Sequence, residues 1–241
     1  MSRSWLTDIA FAHRGLHGSK TGHVENSLSA FQAANDQGHG FELDILLSHD
    51  NKAMVFHDVS LKRLTGQFGQ LQDFTAEQLS KITLTGSGDK IPSLNNILLK
   101  TSPKYPVLIE IKGDQGTPDQ IAEAVFNEIR NDDRPLAIMS FYPDIILWFQ
   151  QNAPHILRGL VATSHNDGGF PDDYFSVATQ KSLIDRLDVD FVAYDIATLP
   201  NEVTEYCQHK DVPILTWTVR TETQRRKAAR YTDNIIYEDP G

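Results

Sequence analysis

The sequence predicts a single α/β domain over residues 1–241, a TIM (β/α)8 barrel. Three observations carry this expectation. Eight short apolar segments recur along the chain, helical patterns with start signals lie between most of them, and titratable residues gather where the segments end. Strands alternating with helices build right-handed βαβ units and therefore a parallel sheet. Eight such units in about 240 residues fit a barrel, with a doubly wound sheet as the alternative.

The strand candidates are IAFA (9–12), FELDI (41–45), PVLIEI (106–111), LAIMSF (136–141), ILRGLVA (156–162), DFVAYD (190–195), PILTWTV (213–219) and NIIY (234–237). After the first, Asn26 precedes the helical run SLSAFQAANDQG, which stops at Gly38. After the third, Thr117 with Gln120 forms a capping box, and Pro118 takes the first helical position. EVTEYCQHK reads as helix, and Thr221 with Gln224 repeats the capping box before RRKAARY. One segment is left over, AMVFH (53–57), separated from LDILLS by only HDNK. That gap is too short for a parallel crossover. Residues 43–57 are therefore expected to form an antiparallel hairpin after the second barrel strand, turning at Asp50-Asn51. Folded back over the C-terminal mouth, it brings His57 and Asp58 toward Glu42 and Asp44.

Composition bounds the function. Hydrophobic residues make up 40% and charged residues 22%, ordinary values for a globular chain without a linker. A net charge of −10 argues against a nucleic-acid partner. No run of about 18 apolar residues is present, so no stable membrane association is expected. The start, MSRSWLTDIAF, lacks the apolar stretch of a secretory signal, which points to a cytoplasmic protein. The single cysteine, Cys207, excludes an internal disulfide and reads as a packing thiol.

Glu42 and Asp44 are two apart on a strand and face the same way. Glu110 and Lys112 repeat that spacing, and His13-Arg14 ends the first strand. All fall at C-terminal strand ends, where barrel sites are built. Three carboxylates converging in a partly dry mouth repel one another. One divalent cation relieves this, and an all-oxygen set suits Mg²⁺ or Ca²⁺. The competing account pairs the acids with Arg14 and Lys112. Phe141, Tyr194 and Trp217 end barrel strands, as pocket wall or as ordinary packing.

The motifs HRG (13–15), EN (25–26), ELD (42–44), FHD (56–58), LKRLT (61–65), IPSL (91–94), IEIK (109–112), SF (140–141), GL (159–160), TWTV (216–219) and IIYEDP (235–240) together resemble the glycerophosphodiester phosphodiesterases. The resemblance spans nearly the whole chain in order. It implies a metal-dependent barrel that cleaves a small-molecule glycerophosphodiester to sn-glycerol 3-phosphate and an alcohol. It implies Glu42, Asp44 and Glu110 as metal ligands and His13 and His57 as the acid–base pair. Arg14 and Lys112 would hold phosphate oxygens, with Glu25, Asn26, Phe141 and Trp217 around the substrate. The expected route runs through a cyclic phosphate.

Val24, Arg220 and Glu238 depart from the family's usual residues, and none of the three is expected to touch the metal or the histidines. Asp58 either orients His57 or shapes a turn. His49 and Asp50 are expected to face solvent, as are His17, His23, His39, His155, His165 and His209. The loop SHNDGGFPDDYF (164–175) is either a lid or a packed surface loop. Two other functions compete: a lysophospholipase D-type activity on the same barrel, and a metal- or ligand-binding barrel without turnover. Head-group preference and the number of protomers have no signature in these patterns.

Overall fold

The computed structural model describes residues 4–113, 117–166 and 169–239. Its strands are β1 (Phe11–Ala12), β2 (Gly40–Leu47), β3 (Ala53–Val55), β4 (Val107–Ile111), β5 (Leu136–Ser140), β6 (Leu157–Ala162), β7 (Phe191–Asp195), β8 (Ile214–Val219) and β9 (Asn234–Tyr237). All except β3 run parallel and close on themselves, because β1 pairs with both β2 and β9. The fold is thus the expected eight-stranded barrel. The helices are α1 (Trp5–Asp8), α2 (Leu28–Asp36), α3 (Lys62–Thr65), α4 (Ala76–Leu79), α5 (Leu94–Lys100), α6 (Pro118–Ile129), α7 (Pro143–Asn152), α8 (Val177–Leu187), α9 (Glu202–His209) and α10 (Glu222–Tyr231).

Period-two alternation sorts each strand into an outer and an inner face. Outward residues such as Leu43, Ile109, Ile138 and Val192 pack against the helices in the larger core. Inward residues Phe11, Leu108, Met139, Ala193, Leu215 and Ile236 form a separate core inside the barrel. Leu6 of α1 joins that inner core from the N-terminal end, and Trp5 packs against it. One step of two residues up these strands gives His13, Glu110, Phe141, Asp195, Trp217 and Glu238. The barrel is therefore an apolar plug below and a polar mouth above.

The plug leaves room for large rings only by using a small residue opposite them. Gly159 on β6 lies beside Phe191 on β7. A Cβ there would come within 2.3 Å of the Phe191 ring.

The hairpin forms as expected: β3 is antiparallel to β2, with Ile45 opposite Val55 and Leu47 opposite Ala53. At its turn Asn51 takes a left-handed φ of 54°, and the Ser48 N–H donates to the Lys52 carbonyl at 3.0 Å. His49 and Asp50 are exposed as expected, yet the Asp50 carboxylate also accepts the Ala76 N–H at the start of α4. The free edge of β3 is capped where the Val55 N–H donates to the Pro92 carbonyl. Between them, residues 56–93 carry a small core of their own around Leu46, Met54, Phe56, Leu71 and Ile91, which the strand pattern did not reveal.

The capping boxes at Thr117 and Thr221 are both formed. The start of α2 is corrected by one residue. Ser27 caps it by accepting the Ala30 N–H, while Asn26 turns inward at φ 55°. Cys207 on α9 is buried and free, and burial pushes its thiol up to about 12, which fits the packing role. Among the described residues, no helix is long and apolar enough to cross a membrane.

Gly159→Ala should destabilise the barrel by about 1–3 kcal/mol, because overpacking forces the Phe191 ring from its place. Gly88→Ala, where nothing lies within 4 Å of the new methyl, serves as control. Urea midpoints for the two variants check this, and equal midpoints would show that the plug has slack at Gly159.

Candidate active site

Glu42, Asp44 and Glu110 meet at the mouth with one oxygen from each within 4.8 Å of the others. β2 and β4 place them, with Asp44 directly opposite Glu110 in the ladder. All three are buried, Glu42 completely. Two cations answer them. The Lys112 ammonium lies 2.5 Å from Glu110 Oε1 and 2.9 Å from Asp44 Oδ1. The Arg14 Nε lies 3.2 Å from Asp44 Oδ2. The pairing anticipated as the alternative to metal binding is therefore present, but it is incomplete. Glu42 Oε1 is buried without a hydrogen bond, and Asp44 Oδ1 is buried with the Lys112 ammonium at 2.9 Å as its ionic neighbour. Three carboxylates face two cations, and one oxygen on each of Glu42 and Asp44 lacks a hydrogen bond. Hard oxygen donors in that state fit a divalent cation.

The electrostatics follow from burial. Burial, then the Asp44 and Glu110 charges, push the Glu42 carboxyl well above its ordinary range. Burial pushes Asp44 the same way, but Lys112 and Arg14 overcome it and hold Asp44 ionised. The backbone helps. Arg14 adopts a left-handed φ of 54°, and this aims its N–H at Glu42 Oε2 at 2.9 Å. Gly15 follows at φ 80°, pressed so close to Ala30 that no side chain fits. Asn26 uses its own positive φ to donate from Nδ2 to Asp44 Oδ2 at 2.8 Å. Left-handed non-glycine residues cost strain, and two of them here hold the acids in register.

Each histidine has its Nδ1 taken. His57 Nδ1 lies 2.7 Å from Asp58 Oδ1, so Asp58 orients the ring. His13 Nδ1 lies 2.7 Å from Glu238 Oε1. Both carboxylates are held by arginines. Arg63 contacts Asp58 at 2.5 and 2.9 Å and Glu25 twice at 2.8 Å. Arg220 contacts Glu238 at 2.6 and 2.9 Å. Burial raises both acids, but bonds to His13 and Arg220 hold Glu238 well below the usual carboxylate range, and bonds to Arg63 and His57 lower Asp58. An ionised acceptor makes each Nδ1 the donor, which leaves Nε2 of both rings without a hydrogen bond, His13 Nε2 lying 3.9 Å from Glu42 Oε2. The expectation that Glu238 avoids the histidines is thus corrected, while Arg220 contacts Glu238 and reaches His13 only through it. Glutamate is long enough to reach from the end of β9 to His13 and still present a face to Arg220.

His13, Arg14, His57, Glu110, Lys112, Phe141 and Trp217 share one cavity of about 410 Å³. Glu25 and Asn26 do not line it. Glu25 bonds Arg14 and Arg63, and Asn26 bonds Asp44, so both act through neighbours. Tyr194 points outward into the helix layer and donates to Gln180, so it is packing. Phe141 and Trp217 are wall. Two further expectations change. His17 is half-buried with its Nε2 sealed from solvent, and His39 lies 2.5 Å from the Tyr237 hydroxyl. In the loop 164–175, Gly168 lies outside the described residues. Phe170 packs on Phe141 and Tyr142, and the Tyr174 hydroxyl donates to the Phe141 carbonyl. Arg63 was missed as a site residue. Its only signal was a basic side chain in LKRLT, which counts as surface until the insertion folds.

Known proteins share this architecture. The glycerophosphoryl diester phosphodiesterase family matches residues 13–241. A glycerophosphodiester phosphodiesterase of Caldanaerobacter subterraneus is 27% identical over 98% of this chain and 96% of its own. The crystal structure of a glycerophosphodiester phosphodiesterase from Thermotoga maritima superposes with a TM-score of 0.77 at 25% identity, over 95% of this chain and 93% of that one. An Oleispira antarctica phosphodiesterase in complex with the product sn-glycerol-3-phosphate superposes with a TM-score of 0.81 at 19% identity, covering 98% and 95%. With its closed barrel, three converging acids and two carboxylate-held histidines, the chain belongs to the glycerophosphoryl diester phosphodiesterase family.

Proposed function

We propose that this protein hydrolyses glycerophosphodiesters to sn-glycerol 3-phosphate and an alcohol. The carrying observation is the pair His13 and His57, each with Nδ1 committed to a carboxylate and Nε2 without a hydrogen bond, lining one cavity with Glu110, Lys112 and Arg14. A phosphodiester carries a charge that repels nucleophiles, so its cleavage needs charge neutralisation and two proton transfers. Glu42, Asp44 and Glu110 would hold one divalent cation, Mg²⁺ or Ca²⁺, which neutralises charge on the phosphate and makes the glycerol 2-hydroxyl more acidic. Arg14 and Lys112, relieved of part of their pairing, would bind phosphate oxygens. Burial lowers the proton affinity of His13 despite its bond to Glu238. It therefore enters neutral, with its lone pair on Nε2, which is the form of a base. In the first step His13 Nε2 takes the proton of the glycerol 2-hydroxyl as that oxygen attacks phosphorus. His57 Nε2 gives its proton to the departing alcohol oxygen. The cyclic phosphate is then opened by water, with the two roles exchanged. A lysophospholipase D-type reading asks for apolar surface open at the mouth. Phe68 and Leu99 are the large hydrophobics left exposed among the described residues, and neither lines the cavity.

Chelation should abolish turnover, and Mg²⁺ or Ca²⁺ should restore it. Glu42→Gln, Asp44→Asn and Glu110→Gln should each cost several orders of magnitude. Full activity after exhaustive chelation, with metal absence confirmed by elemental analysis, removes the cation from the reaction.

His13→Ala and His57→Ala should each be folded and nearly inactive, with effects that do not add because both act in one step. Asp58→Asn and Glu238→Gln should lower kcat by roughly 10²–10⁴ with little change in KM, as expected when a ring loses its tautomer. His49→Ala should retain activity. A His49→Ala protein as inactive as His57→Ala would place the wrong hairpin residue over the mouth.

Substrates lacking the 2-hydroxyl should not react. Intramolecular attack gains about 7–11 kcal/mol from proximity in favourable cases, and the deoxy analogue forfeits it. Rates for glycerophosphocholine and its 2-deoxy analogue at saturation, with ³¹P NMR for the cyclic species, check this. Comparable rates without a cyclic species would assign the attack to water.

A further inference from the structure

Beside the catalytic cavity lies a second recess of about 200 Å³. Phe141, Asp195 and Trp217 line both, so the two spaces share a wall. The recess is completed by Phe170 and Phe175, with Thr163 and His165 at its polar side. Its rings stand at different angles. Phe141 and Trp217 meet edge to face, 84° apart, with centroids at 5.6 Å. Phe170 and Phe175 do the same at 80° and 6.3 Å. Each crossing sets the edge of one ring on the face of another, and Phe170 also stacks on Tyr174 at 4.5 Å, so the recess is walled by ring edges and faces held in a fixed frame. The Trp217 indole is fixed, because its Nε1–H donates to the Ala193 carbonyl at 2.8 Å.

The one carboxylate of this recess differs from the others at the mouth. Glu25, Asp58 and Glu238 each bond an arginine. Asp195 has no such partner among the described residues, and its one ionic neighbour there is the exposed His165, at 3.6 Å. Asp195 is nonetheless held still. Thr163 Oγ1 donates to Oδ2 at 3.1 Å and the Ala197 N–H donates to Oδ1 at 2.8 Å. A largely buried carboxylate with no arginine or lysine on it, beside aromatic rings, favours a cation. A bulky cation with little hydration suits rings better than a small one that keeps its water.

Resting on the phosphodiesterase reading above, we infer that this recess binds the departing alcohol and selects a quaternary ammonium head group of the choline class. Glycerol and phosphate occupy the larger cavity against the triad and the histidines. The ester oxygen that leaves points past Phe141 and Trp217, and the trimethylammonium group sits among the rings with its charge facing Asp195. An acyl chain or an anionic head group meets the Asp195 carboxylate unfavourably.

The test compares glycerophosphocholine with the neutral isostere in which carbon replaces nitrogen, the 3,3-dimethylbutyl diester. The two substrates share shape and leaving-group size; because the ammonium also makes choline the better leaving group, recognition of the charge is read from how their ratio of kcat/KM changes between wild type and variant. The wild-type protein should prefer the choline diester by about tenfold or more, in keeping with a desolvated cation–π site beside a carboxylate. In Asp195→Asn, which keeps the cap on Ala197, the ratio should fall toward one. Phe170→Leu should lower it as well, through loss of one ring face. A wild-type ratio near one, or a ratio unchanged in Asp195→Asn, overturns the inference while leaving the phosphodiesterase reading in place. If neither diester is cleaved, it is the phosphodiesterase reading that fails. Calorimetric titration with choline alone then decides the recess: binding that Asp195→Asn weakens about tenfold sustains it, and no binding, or equal binding by both proteins, overturns it.

Discussion

Three carboxylates held within one small, water-poor space are the constraint to which the rest of the mouth responds. Two like charges about 4 Å apart repel by about 4 kcal/mol at an effective dielectric near 20, and removal from water adds to that cost. The protein answers with Lys112 and Arg14 in direct contact, with the Asn26 amide on Asp44, and with the Arg14 N–H on Glu42. Two left-handed residues, Arg14 and Asn26, are held in place to deliver those donors. The compensation still leaves Glu42 Oε1 without a partner and Asp44 Oδ1 with the Lys112 ion pair alone. Three acid oxygens so placed could hold a cation.

The two histidines that line the mouth are held by the same device built twice. A carboxylate takes Nδ1, and an arginine takes the carboxylate. On one side the chain is His57–Asp58–Arg63, with Glu25 linking Arg63 onward to Arg14. On the other it is His13–Glu238–Arg220. The arginine keeps the carboxylate ionised in a partly buried place, and the ionised carboxylate fixes the tautomer. The apolar plug beneath the mouth matters here. Phe11, Leu108 and Phe191 keep the barrel interior dry, which strengthens each of these interactions.

Much was legible in the chain because it rests on period and local chemistry. Alternating strands and helices give a parallel sheet and favour a barrel over a doubly wound sheet, the two-residue spacings of Glu42 with Asp44 and of Glu110 with Lys112 give a shared face, and a four-residue gap is too short for a parallel crossover and so gives a hairpin before His57. Capping boxes at Thr117 and Thr221 work within a single turn, and so they read correctly. These are short-range rules, and a sequence obeys them whatever surrounds it.

The tertiary structure decided whatever depends on reach between distant segments. Glu238 lies 225 positions from His13 and Arg63 lies 38 from Glu25, and no local pattern links either pair. Asn26 looked like a helix start because asparagine caps helices well, but Ser27 was beside it to do that work and Asp44 needed an amide. Asp195 reads in sequence as the end of a strand, one acid among many. Its lack of an arginine, and the rings around it, exist only once β5, β7, β8 and the loop before α8 are brought together. Residue type and spacing determine which groups face the barrel mouth. Closure of the barrel determines which of them are neutralised and which remain free to bind, because charge compensation is a property of neighbours in space.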